Sequence, residues 1–255
     1  MKVWKKVIQL FGDKGELIQE VEQDKAIINS SNYEYEYTKP KVFETIEGSY
    51  NKWWGEFQKE PKLVTVLGKR RSGKDLLLHS LASNLAYNSG KLVYVLGNNS
   101  PDLPNYIVSV DSFDEVPNDS IVVIGEGGIE NNSRSSMSKK NVGVSKLLSV
   151  ISHKGIWIFY ASQTGRKLDV NIITESDCIL LLEPSLMMTE MERPVIKKLY
   201  KKYLPKILEW KDNIKGQKGV CAIHTQEFKG IIRAKMPKWW SSEISTSYKD
   251  TEVLE

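Results

Sequence analysis

The stretch Lys62-Leu63-Val64-Thr65-Val66-Leu67-Gly68-Lys69-Arg70-Arg71-Ser72-Gly73-Lys74-Asp75 runs an apolar, β-forming segment straight into Gly-x-x-x-x-Gly-Lys. A leucine-rich helical pattern follows at Leu76, Leu77, Leu78, Leu81 and Leu85. Strand, glycine loop and helix in this order make a phosphate cradle. Gly68 and Gly73 let the backbone turn its N–H groups inward, the new helix adds its positive end, and Lys74 reaches the outer phosphates. The candidate contact set is Gly68, Lys69, Arg70, Arg71, Ser72, Gly73, Lys74, Asp75 and Leu76. Asp75 stands where a Ser or Thr hydroxyl normally holds Mg²⁺.

Hydrolysis needs further groups. The apolar run Ile121-Val122-Val123-Ile124 leads into Gly125-Glu126, which puts Glu126 where a base polarises the attacking water. The Asp that ordinarily precedes such a Glu is absent. We read Asp75 and Gly125 together as a carboxylate moved from one strand end to the other, with Asp75 and Glu126 as the candidate metal ligands. Turnover of Asp75→Ser, Gly125→Asp and the double variant tests this, because strictly additive losses count against a swap. Gln163, after the apolar run ending Ala161-Ser162, is a candidate sensor of the γ-phosphate. Arg134 and Arg166 are candidate arginine fingers for a neighbouring subunit's site.

The elements that must position these groups alternate. Apolar runs at Leu92–Leu96, Tyr106–Val110, Ser120–Ile124, Gly155–Ala161 and Cys178–Leu182 are separated by helical or polar stretches. Such runs predict a parallel sheet covered on both faces. The Gly155–Ala161 strand is expected between the loop strand and the Ile121–Ile124 strand. Residues 1–60 read as a β-rich appendage, with a hairpin over 3–18, an edge strand at Tyr33–Tyr37 and a short helix at Lys52–Phe57. Residues 61–242 form the main domain and 243–255 a polar tail. Asn131 to Asn141 reads as a loop, Val144 to Ile151 as a helix, Met187 to Lys206 as a lysine-rich helical stretch, and residues 219–233 as a closing hairpin.

The chain has 255 residues and a net charge of +4, which permits a polyanionic partner without requiring one. Cys178 and Cys221 fall inside apolar runs and read as buried hydrophobes in a reducing compartment. His79, His153 and His224 form no ligand pattern. Without a bilayer-length apolar run or a signal-peptide pattern, the expectation is a cytoplasmic protein with no membrane partner.

Gly68 to Asp75, the strand into Gly125-Glu126, and Ser149 to Gly155 leading to Ser162-Gln163 together resemble the FtsK/HerA class of P-loop ATPases. The likeness is greatest to the compact ATPases of archaeal viruses and mobile elements, and it covers residues 60–242. Leu168 to Ile172, Cys178 to Leu182 and Met236 to Trp240 fit it too. The resemblance implies an α/β, RecA-like (ASCE) P-loop NTPase fold, with ATP and Mg²⁺ bound at the interfaces of a homo-oligomeric ring, often a hexamer. It also implies double-stranded DNA as the driven partner, with a capsid or other virion protein as a further contact. Lys74, Glu126 and Gln163 match its binding, catalytic and sensor positions, and Arg134, Lys139 and Lys140 fall in a loop suited to DNA. Asp75 and Gly125 depart from its pattern. Gly-x-x-x-Ser-Gly-Lys-Asp also resembles the loops of certain small-molecule and deoxynucleotide kinases. A weakly hydrolysing, ATP-binding assembly protein is the third reading.

Overall fold

The computed structural model describes residues 33–125 except 99, residues 153–244 except 169, 216, 217 and 242, and residue 247. The expected hairpin over 3–18, the polar loop and the helix at 144–151 lie outside the described residues. Compact units divide at Tyr35: Met1–Glu34, almost wholly outside the described residues, and Tyr35–Glu255.

The larger unit contains, in chain order, β1 (Lys41–Gly48), α1 (Tyr50–Phe57), β2 (Leu63–Leu67), α2 (Lys74–Ser89), β3 (Val93–Leu96), β4 (Ile107–Val110) and β5 (Ile121–Ile124). There follow β6 (Trp157–Ser162), α3 (Val170–Thr174), β7 (Cys178–Leu181), α4 (Leu186–Met191), α5 (Pro194–Asn213), β8 (Val220–His224) and β9 (Phe228–Arg233). Among the described residues the strands form a nine-stranded sheet in the order β1-β9-β8-β7-β2-β6-β5-β3-β4. From β7 to β4 neighbours are parallel; β8, β9 and β1 are added antiparallel.

Every residue of β2, β5, β6 and β7 is buried. This is why those runs are continuously apolar: both faces of a parallel sheet must be covered. Helix α2 packs on β2, β3, β5 and β6. Ile196, Tyr200, Tyr203 and Ile207 of α5 join a core with Leu67, Ile158, Leu181 and Ile231. As expected, β6 lies between β2 and β5, with Leu67 beside Ser162 and Ile124 beside Tyr160. The end of β6 therefore stands level with the start of the glycine loop.

Before β2 the chain differs from the sequence reading. The boundary was expected near residue 60, yet β1 pairs with β9, and α1 buries Tyr50, Trp53, Trp54 and Phe57. Phe57 meets Phe159 of β6 edge-on, with 6.1 Å between ring centroids. The alternating Tyr33–Tyr37 segment is not a strand. Tyr35 and Tyr37 do turn to a common body, packing on Tyr106 at 5.0 Å and Tyr87 at 5.4 Å. The backbone just beyond is satisfied by a side chain, not a ladder: Thr38 N donates to Asn84 Oδ1 at 2.7 Å, and Asn84 Nδ2 donates to Thr38 O at 2.9 Å. Alternation reports a face; a strand also needs a free partner edge.

Further along, the Met187–Lys206 stretch is two helices. Pro194 cannot continue α4 but suits the first position of α5. Past Ser241, where a polar tail was expected, Ile244 is buried and its carbonyl accepts from Asn98 Nδ2 at 3.3 Å. Cys178 and Cys221 are buried free thiols, and burial pushes both above the usual thiol range.

Candidate phosphate-binding site

The loop rises between the ends of two neighbouring strands. Gly68 N donates to Ser162 O at 3.4 Å and Lys69 N to Glu183 O at 2.9 Å. A Cβ on Gly68 would sit 2.8 Å from both Leu182 Cβ and Ser72 Oγ, so no larger residue fits there. At Gly73, φ is +103° and a Cβ would lie 3.0 Å from Gly219 N. That left-handed turn redirects the chain into α2, whose first helical bond runs from Leu77 N to Gly73 O at 3.0 Å. First-turn N–H groups have no acceptor within their own helix, and Gly73 has no side chain to cap them. Lys74, Asp75 and Leu76 form that first turn, so their amides face the concavity of the loop.

Lys74 is buried, and its Nζ donates to Gly68 O at 3.0 Å and Lys69 O at 3.1 Å. Ser72 Oγ is buried without a hydrogen-bond partner among the described residues. A buried hydroxyl of this kind is costly unless something accepts or donates to it. A caged ammonium, an orphaned hydroxyl and outward-facing amides are the donor set that a phosphate chain requires, so these residues fit a nucleotide's phosphates.

Gln163 stands beside the loop: Arg70 Nε donates to its Oε1 at 3.3 Å. The segment after it is fixed by the buried Glu192, whose Oε2 accepts from Thr164 Oγ1 at 2.7 Å and Gly165 N at 2.8 Å. Gly125 is buried at the end of β5, and Asp75 is half-buried. Glu126, Arg134, Lys139 and Lys140 lie outside the described residues. Arg166 is exposed. Among the described residues no group of three His, Cys, Asp or Glu side chains is arranged for a metal ion. His79 is fully buried between Trp239 and Trp240, and burial pushes it down to about 3, which keeps the imidazole neutral.

Searches of known proteins return structural likeness without sequence relatives: no family model matches the chain, and no curated protein matches it significantly. The chain is similar to the genome packaging NTPase B204 of Sulfolobus turreted icosahedral virus 2, solved with AMPPCP. Identity is 14%, over 69% of this chain and 98% of that one, with a TM-score of 0.45. B204, the DNA-packaging ATPase of Sulfolobus turreted icosahedral virus, gives 16% identity over 69% and 99%, with a TM-score of 0.44. The cytoplasmic domain of the type VII secretion ATPase EccC of Thermomonospora curvata gives 10% identity over 71% of this chain and 24% of that chain, with a TM-score of 0.43.

Two positioning carboxylates escaped the sequence reading. Glu192 is one. The other, Glu183, directly follows the β7 apolar run, and its two oxygens are held by Lys69 of the loop and Lys211 of α5. Burial alone would raise its carboxyl; the two ammonium groups outweigh that and hold it below the ordinary range. An acidic residue ending the strand next to the loop strand was the available signal. Lys69, Arg71, Glu183, Lys211 and Lys218 line a cavity of about 140 Å³ beside the loop. A larger cleft of about 850 Å³ is lined by Lys62, Asp177, His224 and Glu227 and contains no loop residue.

Proposed function

We propose that the protein is an ATPase whose turnover drives double-stranded DNA, in the manner of a viral genome-packaging motor. On this reading the fold is RecA-like, and copies of the chain form a ring, often a hexamer in the family that the motifs resemble. The observation that carries it is the insertion of β6 between β2 and β5, which brings Gln163 against Arg70 of the loop. With a strand between them, the ends of β2 and β5 stand about 10 Å apart, two strand spacings. That leaves room for a water molecule between the loop and Gly125.

Lys74, the first-turn amides and Ser72 hold the phosphates. Glu126 orients the water and takes its proton, and Asp75 and Glu126 are the carboxylates offered to Mg²⁺. ATP with its metal supplies an anhydride whose cleavage releases the γ-phosphate. Gln163 is placed to sense that release and to pass it through Arg70 to the loop.

Asp75 after the lysine also suits a kinase. Hydrolysis of ATP with and without duplex DNA, in wild type, Lys74→Ala and Glu126→Gln, separates the readings. DNA-stimulated release of phosphate, abolished in both variants, is expected. Nucleotide binding with no turnover under any condition would overturn the motor reading and leave an acceptor-dependent kinase or an assembly protein.

A further inference from the structure

We propose that the lysine ridge of α5, formed by the half-buried Lys197 and the exposed Lys198, Lys201 and Lys202, binds the phosphate backbone of duplex DNA; this rests on the DNA-driven reading above. From Arg193 to Leu208 the chain carries six cations and no carboxylate, against a net charge of +4 for the whole protein. The charge is therefore concentrated here, and the rest of the chain is slightly acidic. Lys206 is paired with Glu44. None of the four ridge lysines is in a salt bridge among the described residues, Glu47 feels the charge of Lys202 only at longer range, and Lys198, Lys201 and Lys202 are exposed. Lys202 lies over its neighbour's ring, with Nζ 5.1 Å from the Tyr203 centroid.

This arrangement is unfavourable by itself. Lys197 and Lys201, and Lys198 and Lys202, are like-charge pairs one turn apart, which destabilise a helix. Lys197 also sits in its first turn, at the positive end of the dipole. A polyanion relieves both. Lysines at one-turn intervals, a rise of about 6 Å, present a row of charge that a phosphate backbone can follow. An anionic membrane suits the ridge less well. A helix lying on a bilayer needs a free apolar face, and the apolar face of α5 (Ile196, Tyr200, Tyr203 and Ile207) is buried in the protein. Contacts of this type read charge, not bases, so binding is expected to be indifferent to sequence.

The test is fluorescence anisotropy of a short mixed-sequence duplex against the full chain across a salt titration, without nucleotide. The variant K197Q/K198Q/K201Q/K202Q is expected to bind at least about tenfold more weakly, and its slope of log K against log salt to fall by about 2 to 4. A charge-matched control, K39Q/K52Q/K235Q/K238Q, removes exposed lysines elsewhere and is expected to bind like wild type. Equal losses in both variants, or no loss in the first, would overturn the ridge. Wild-type binding to phosphatidylserine vesicles but not to duplex would overturn it in favour of a membrane. The two proposals fail separately: duplex binding through the ridge without ATP turnover sinks the motor alone. DNA-stimulated turnover that survives in the ridge variant sinks the ridge alone.

Discussion

Helices α2 and α5 both carry lysines in their N-terminal turns, where the helix dipole disfavours positive charge. In α2 the charge is answered inside the protein. Lys74 is buried, and two loop carbonyls accept from it at 3.0 and 3.1 Å. In α5 Lys198, Lys201 and Lys202 face solvent and are in no salt bridge among the described residues. The difference follows from burial. Helix α2 is covered nearly all round, down to His79, Ser80, Ser83 and Asn84, so a cation entering its first turn has to be satisfied by the chain. Helix α5 buries one stripe and leaves the other to water. The first geometry suits one ligand at one place, the second a diffuse polyanion.

The sharpest way to break this contrast is Lys74→Ala. Removing a preorganised donor from a phosphate site is expected to lower turnover by about 100-fold or more. The unfolding midpoint should stay near wild type, since the freed carbonyls can turn to water. A variant that keeps its turnover would place the chemistry elsewhere.

Glu183 joins the glycine loop to α5 and offers a pH readout. Its carboxyl is held low in the folded chain, so its stabilisation is complete above the ordinary value of 4.5 and is lost as pH falls through the lower folded value. Urea unfolding of Glu183→Gln should show a deficit of about 1 kcal/mol near neutral pH, the scale of a typical intramolecular hydrogen bond. That gap should close in acid. A deficit unchanged in acid would mean that the carboxylate's charge is irrelevant.

The smallest effect concerns the ridge alone. Lys198→Gln removes a like-charge pair with Lys202 and should raise stability by about 0.2 to 0.5 kcal/mol at low salt. The gain should vanish at high salt, where exposed charges are screened. Destabilisation instead would show that Lys198 has a partner in the folded protein.

Much of the fold was legible before the coordinates. The loop from Gly68 to Lys74 and the buried strands were read from patterns that depend on neighbouring residues, while the insertion of β6 was expected from the RecA-like architecture that the motifs resemble. The edge of the molecule was not. Val42 and Phe43 carry no signal that their strand closes the sheet against β9, because an edge is chosen by what remains unpaired elsewhere. At the site, the loop and Gln163 were visible, while Glu183 and Glu192 were not, since a lone acid after a strand looks like any solvated residue until its partners arrive.

The sequence by itself determined the glycine loop and the parallel core. Glycine spacing sets what the backbone can do within a few residues, and continuous apolar runs require cover on both faces. Tertiary structure alone decided which groups meet. Arg70 and Gln163 are 93 residues apart in the chain, and Glu183 lies 114 residues from Lys69 and 28 from Lys211. Contacts at such separations are chosen by the packing of whole strands and helices, which no local pattern encodes.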